Sequence, residues 1–206
     1  MPPPAYLRPY LDAVQRHGAK FQSLLWASPS AQEARFAALA RACQLEGRIV
    51  LDAGCGRADF LDYLLAQNIH PARYIGIEAV ETLARAAEAK CPPHASIMRG
   101  DFIDNPTLLD QNADVIVFCG SLNTLRTDDF YQTLHLAWQY TRGELAFNFL
   151  CSTQLAAGKH LTWHAIADVL DFAHTMTADV ALDTTYRDGD CTIAMKKAAH
   201  PADWAD

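Results

Sequence analysis

The chain has 206 residues, of which 50% are hydrophobic and 20% charged, with a formal net charge of −7. That composition supplies a sizeable core for one domain and excludes an extensively disordered chain. The acidic balance, without any run of Lys or Arg, offers none of the basic footprint that DNA or RNA binding draws on, so a small molecule is the expected partner.

The first residues, MPPPAYLRPY, lack the apolar core of a signal peptide, and no run of about 18 apolar residues occurs. A cytoplasmic protein with no membrane association is therefore expected. Cys43, Cys55, Cys91, Cys119, Cys151 and Cys191 contain no CxxC pair. They read as reduced thiols, several of them buried, without structural zinc or another metal.

In chain order, residues 6–25 and 30–44 read as two helices, the second with a capping-box pattern of Ser30 and Glu33. They precede the first strand, so they are expected to cap the ligand edge of a sheet or pack on its flank. RIVLDA (48–53) is a short β-branched run, followed by a helix from about Ala58 to Gln67. YIGIE (74–78) is a second strand and AVETLARAAEAK (79–90) a helix with an apolar stripe. ASIMRG (95–100) is a weaker strand, and NPTLLDQ a short helix with Asn105 as cap and Pro106 at its first position. DVIVFCG (114–120) is apolar throughout, as a strand buried on both faces would be. Thr127, Asp128 and Asp129 open a helix reaching about Thr141, and ELAFNFLC (144–151) is a fifth strand.

After a helix at about 163–174, DVALDTTYR and CTIAMKK are joined through Asp188-Gly189, a hairpin signal. The alternation predicts a parallel α/β sheet with helices on both sides, closed by an antiparallel hairpin. No repeat, linker or low-complexity segment marks a second domain. The expectation is a single domain: an N-terminal helical cap at 1–46, the core at 47–198 and a tail at 199–206.

The chemistry gathers at the glycine turn after the first strand, where backbone N–H groups and a helix dipole would meet a ligand. A P-loop needs a GxxxxGK[ST] lysine that is missing. The dinucleotide fingerprint needs a small residue where GCGRAD places Asp59. An acid-x-Gly-x-Gly-x-small pattern fits Asp52, Gly54, Gly56 and Ala58.

On these residues the chain resembles the class I S-adenosylmethionine-dependent methyltransferases across nearly all of its core. VLDAGCGRADF looks like that family's first motif, with Ala58 where a third glycine is commonest. Glu78 ends the second strand, where the family carries an acid gripping both ribose hydroxyls. Asp101 and Phe102 in RGDF resemble its adenine-binding stretch, with Asp101 accepting from the amino group. The resemblance implies a Rossmann-like seven-stranded sheet of order 3-2-1-4-5-7-6 with strand 7 antiparallel. It also implies S-adenosyl-L-methionine as cofactor and methyl transfer as the activity. The cofactor contacts it implies are Asp52, Ala53, Gly54, Cys55, Gly56, Glu78, Ala79, Asp101, Phe102, Cys119 and Gly120.

The residue types agree. A carboxylate at Glu78 can accept both ribose hydroxyls and would repel a ribose phosphate, which disfavours NADP. Asp52 either touches the ligand or orients the turn through backbone N–H groups. Cys55 and Cys119 read as small apolar wall residues, not nucleophiles. Arg35 either grips the methionyl carboxylate with its planar fork or is a surface arginine on an amphipathic helix. Gln32 and Trp26 rank below it.

For the acceptor, Ser121, Asn123, Asn148, Trp163 and Tyr186 are pocket candidates and His17, His160 and His164 possible bases. Tyr6, Tyr10, Phe21, Trp26 and Trp163 are candidates for a roof over a compact cavity. No Asn-Pro-Pro-Tyr-type motif follows residues 114–120, so methylation of adenine or glutamine nitrogens loses support. Two rivals stand beside a small-molecule methyltransferase. One is a catalytically silent S-adenosylmethionine-binding regulatory protein, the other a nicotinamide-dependent oxidoreductase.

Overall fold

Val50, Leu51 and Ala53 are sealed from water in β1 (Ile49–Ala53), and Val115 to Phe118 are equally buried in β4 (Val115–Phe118). These two short apolar runs form the centre of the sheet, because both of their faces are covered. The protein is described by a computed structural model over residues 2–156, 158 and 160–198; the expected tail at 199–206 lies outside the described residues.

The remaining strands are β2 (Arg73–Glu78), β3 (Ala95–Arg99), β5 (Glu144–Leu150), β6 (Val180–Asp183) and β7 (Asp190–Lys196). The sheet has seven strands in the order β3-β2-β1-β4-β5-β7-β6. β1 to β5 pair in parallel, and β7 runs antiparallel to both β5 and β6. The expected fold is therefore present. Its topological switch lies between β1 and β4, whose carboxyl ends open the crevice where ligands of such sheets bind.

Side-chain alternation divides the core. Leu51, Ile116, Phe118, Leu145, Phe147 and Phe149 face one layer, formed by α5 (Thr127–Tyr140) and α6 (Ile166–His174) through Phe130, Leu134 and Val169. Val50, Val115, Val117, Ala146 and Ala194 face the other, against α2 (Pro29–Ala42) and α3 (Asp59–Ala66) through Phe36, Leu39, Phe60 and Leu64. Helix α4 (Glu81–Glu88) buries Leu83, Ala84 and Ala87 beside β2 and β3. Truncating a side chain such as Phe147 would cost about 3–5 kcal/mol.

Some expectations change at element ends. The helix expected over 6–25 is α1 (Arg8–His17), stopped by Gly18 at φ +62, followed by a 3-10 turn at Phe21–Leu24. Leu25, at φ +59, turns the chain into α2. Ser28, not Ser30, caps α2, its Oγ accepting from the Ala31 N–H at 3.1 Å. Pro29 explains the shift, since proline suits the first helical turn and places the cap just before it. Asn105 precedes a 3-10 turn (Pro106–Leu109) but makes no side-chain cap; its Oδ1 accepts from Thr107 Oγ1 instead. The final hairpin uses the longer connection 184–189, because Asp183 accepts from both the N–H and the hydroxyl of Thr185 and ends β6 early. Among the described residues no helix is long and apolar enough to cross a membrane.

Candidate functional site

The turn after β1 is tied down on two sides. The N–H groups of Gly54 and Cys55 both donate to the Ile77 carbonyl, at 2.8 and 3.0 Å. Ser121 Oγ, from the loop after β4, donates to the Ala53 carbonyl at 2.6 Å. Gly54 has φ +81, and a Cβ there would lie 2.4 Å from that of Ser121, so only glycine lets the two loops meet. Ala58 sits at φ +56, a left-handed conformation costing an alanine about 1–2 kcal/mol, which shows why glycine suits this position.

Glu78 closes β2 beside this turn and is 7% exposed. Its Oε2 accepts from the Gly56 N–H at 2.8 Å and its Oε1 from Val80 N–H at 2.7 Å. Burial pushes its carboxyl up to about 7, against the opposing pull of those backbone donors. Each oxygen keeps a lone pair for a further donor.

Asp52 is also buried, and its Oδ2 accepts from the Tyr74 hydroxyl at 2.5 Å. Among the described residues its Oδ1 has no partner. The reading in which Asp52 orients the turn through backbone N–H groups is thus corrected: Tyr74, facing it from β2, holds it. Burial pushes Asp52 up to about 7, with the Tyr74 hydrogen bond opposing and the Glu78 charge adding.

Asp101, after β3, accepts from the Tyr6 hydroxyl at 2.7 Å and from the Ile103 N–H at 2.9 Å. Phe102 packs edge-on against Phe118 with ring centroids 5.6 Å apart.

On the other side, Arg35 is 6% exposed and donates from Nε to Asp190 Oδ2 at 2.5 Å. Its guanidinium lies 4.9 Å from the centre of the Trp26 ring. Arg35 is thus no surface residue of an amphipathic helix. A Cβ on Gly120 would strike Trp26 at 2.8 Å and approach Arg35 Nη1 to 3.2 Å, so this glycine lets both side chains lie against the backbone. Nη1 and Nη2 make no hydrogen bond among the described residues.

These residues surround one cleft of about 180 Å³. It gathers Asp52, Gly54, Cys55, Gly56, Glu78, Ala79, Asp101, Phe102, Cys119, Gly120 and Arg35; of the residues expected at the cofactor, only Ala53 is missing from its wall. Ala53 is fully buried and contributes its carbonyl to Ser121. Gln32 reaches the cleft while donating to Asp59 at 3.1 Å, and Trp26, Tyr6 and Tyr10 supply aromatic walls.

Of the acceptor candidates, Ser121, Asn123 and His160 line the cleft, whereas the others do not. Asn148 is buried against Thr192 at 2.7 Å, and Tyr186 donates to Asp190 at 3.1 Å. Trp163 is 45% exposed, and Phe21 lies outside the wall, so neither roofs the cleft. His164 stacks on Phe130 with centroids 4.0 Å apart, and burial pushes its imidazole down, while His17 is exposed on the last turn of α1. Leu150, Leu155, Leu161 and Arg187 complete the wall beyond β5. Leu150 ends β5, and nothing in the sequence context distinguishes the other three, because they come from irregular loops.

Residues 50–143 match a family model described as a methyltransferase domain. No curated protein matches the sequence. Among solved structures, the fold is similar to the complex of DhpI with S-adenosylhomocysteine, at 16% identity over 92% of this chain and 94% of that one, with a TM-score of 0.70. It is also similar to magnesium protoporphyrin IX methyltransferase from Synechocystis PCC 6803 with bound S-adenosylhomocysteine, at 16% identity, 82% and 84% coverage and a TM-score of 0.61. The mitomycin 7-O-methyltransferase MmcR gives 13% identity over 92% of this chain and 60% of that one, with a TM-score of 0.69. Residues 50–143 thus match the methyltransferase-domain model, and the strand order around them is that of the class I S-adenosylmethionine-dependent methyltransferase fold.

Proposed function

We propose that the protein is an S-adenosylmethionine-dependent methyltransferase acting on a small molecule. The observation that carries this reading is Glu78: a buried carboxylate at the end of β2, held by two backbone N–H groups beside a glycine turn that no side chain could occupy. The cleft suits the cofactor group by group. Glu78 would accept the two ribose hydroxyls with its remaining lone pairs, and Asp101 the adenine amino group. The unpartnered Oδ1 of Asp52 suits an ammonium, and the two terminal nitrogens of Arg35 a carboxylate.

Bound there, S-adenosylmethionine would supply a methyl group already activated by a sulfonium. The chain's own task is then to align an acceptor, exclude water and take up a proton where the acceptor carries one. The aromatic walls from the N-terminal segment would exclude water, and His160, which lines the cleft, would be the candidate to receive a proton. A small acceptor agrees with a net charge of −7 and a sequence without any run of Lys or Arg.

Incubation with methyl-labelled cofactor and cell extract, followed by separation by size, tests the proposal. Label in the low-mass fraction supports it; label in protein or RNA overturns the small-acceptor part. Cofactor binding without transfer to any fraction would favour a silent regulatory protein.

A further inference from the structure

Charge in the cleft is sorted along the sheet edge. Asp101, Glu78 and Asp52 follow β3, β2 and β1 at one end, while Arg35 and Arg187 stand at the other, over β5 and β7. One carboxylate, Asp190, serves both cations. It accepts Arg35 at 2.5 Å; burial pushes its carboxyl up, and the positive charges of Arg35 and Arg187 oppose that.

Arg187 is half-buried; its carbonyl accepts from the Asp190 N–H at 3.2 Å, but its guanidinium makes no hydrogen bond or ion pair among the described residues, not even with its exposed neighbour Asp188. This end of the cleft therefore holds one cation in excess, in a protein whose net charge is −7. The cleft wall here includes Leu150, in register with Asp190, and Leu155, which lies against Gly189, with Leu161 and His160 following near Gly158. A guanidinium partly withdrawn from water among apolar side chains is poorly stabilised until an anion meets it.

We infer that the methyl acceptor is a small apolar carboxylic acid, and that Arg187 recognises its carboxylate; the inference rests on the methyltransferase reading above. The three leucines cover the apolar body, and the planar fork of Arg187 pairs with both oxygens. β7 lies two strand spacings from β4, about 10 Å, so Arg187 grips the end of the acceptor remote from the glycine loop after β4.

Matched acid and amide probes test this by calorimetry on the protein saturated with S-adenosylhomocysteine: 4-hydroxybenzoate against 4-hydroxybenzamide, and octanoate against octanamide. At least one acid is expected to bind about tenfold or more tighter than its amide. That preference should vanish in Arg187→Gln and survive in part in Arg187→Lys, while both variants keep wild-type affinity for S-adenosylhomocysteine. Equal or undetectable binding of acids and amides by the wild-type protein would overturn the inference, as would a preference that persists in Arg187→Gln. Failure of the wild-type protein to bind S-adenosylhomocysteine would instead overturn the methyltransferase reading, and the inference with it.

Discussion

The two ends of the cleft are built on different principles. At the acidic end, each functional group comes from a strand terminus and is fixed mainly by backbone donors beside it: Glu78 by Gly56 and Val80, Asp101 by Ile103, with the Tyr6 hydroxyl the one contribution from the N-terminal segment. At the cationic end, Arg35 from the N-terminal cap meets Asp190 from the last strand, with nearly the whole core between them in sequence. The first arrangement is local and survives wherever the strand order survives. The second exists only when both chain ends have docked, so the cationic end couples ligand recognition to completion of the fold.

The largest expected effect lies at the cationic end. Asp190→Ala leaves Arg35 buried without its partner and should lower stability by about 3–5 kcal/mol, measured by denaturant unfolding. The double variant Arg35→Met with Asp190→Leu should recover most of that loss, because well-packed apolar residues often replace a buried ion pair at little cost. A single-variant loss below about 1 kcal/mol would show that the two ends are not coupled through this pair.

At the acidic end, Glu78→Ala should weaken S-adenosylhomocysteine binding by about 2–4 kcal/mol, roughly 30-fold or more, through two lost charge-assisted bonds. It should also lower stability by about 1–3 kcal/mol, since the Gly56 and Val80 N–H groups lose their acceptor. Unchanged calorimetric affinity in a folded variant would remove Glu78 from the binding site.

The same end should respond to pH. Glu78 and Asp52 are both pushed up to about 7 by burial, so the folded protein holds protons there that the unfolded chain has released. The stability they contribute is full at acidic pH and falls as pH rises from the ordinary carboxylate range towards about 7. Only the ionised Glu78 offers both oxygens as charge-assisted acceptors to the two ribose hydroxyls, so binding should release a proton and tighten as pH rises from about 6 to about 8, by at most about tenfold per unit for each proton. Calorimetry in two buffers of different ionisation enthalpy reads this release directly; none at about pH 6.5, or equal release by Glu78→Gln, would contradict it.

The smallest effect belongs to the contact between the cap and the acidic end. Tyr6→Phe removes one part-buried hydrogen bond to Asp101 and should cost about 1 kcal/mol in thermal unfolding. A larger loss would mean that the cap is held to the sheet mainly through this hydroxyl.

The same contrast explains what the sequence revealed. The strands and the glycine turn were legible because apolar runs announce them; the strand order, and the places of Glu78, Asp101 and Phe102 on the cleft wall, were what the family resemblance implied. Ser28 was missed as the cap because Ser30 with Glu33 satisfies the same pattern, and only the position of Pro29 decides between them. The Tyr74–Asp52 bond follows from strand register, which places Asp52 opposite Gly76 and Tyr74 opposite Val50, and no local pattern gives it. Arg35 could be singled out but its partner could not, because Asp190 lies within a hairpin whose register depends on β5. Phe21 and Trp163 were expected over the cleft on aromatic character alone, and Arg187 was passed over because a cation before a turn normally points to solvent.

Titration of wild-type protein with S-adenosylhomocysteine and with NAD, under the same calorimetric conditions, tests the central claim most directly. The account predicts one S-adenosylhomocysteine bound per chain and no measurable heat of NAD binding. Binding of NAD with S-adenosylhomocysteine silent would contradict it.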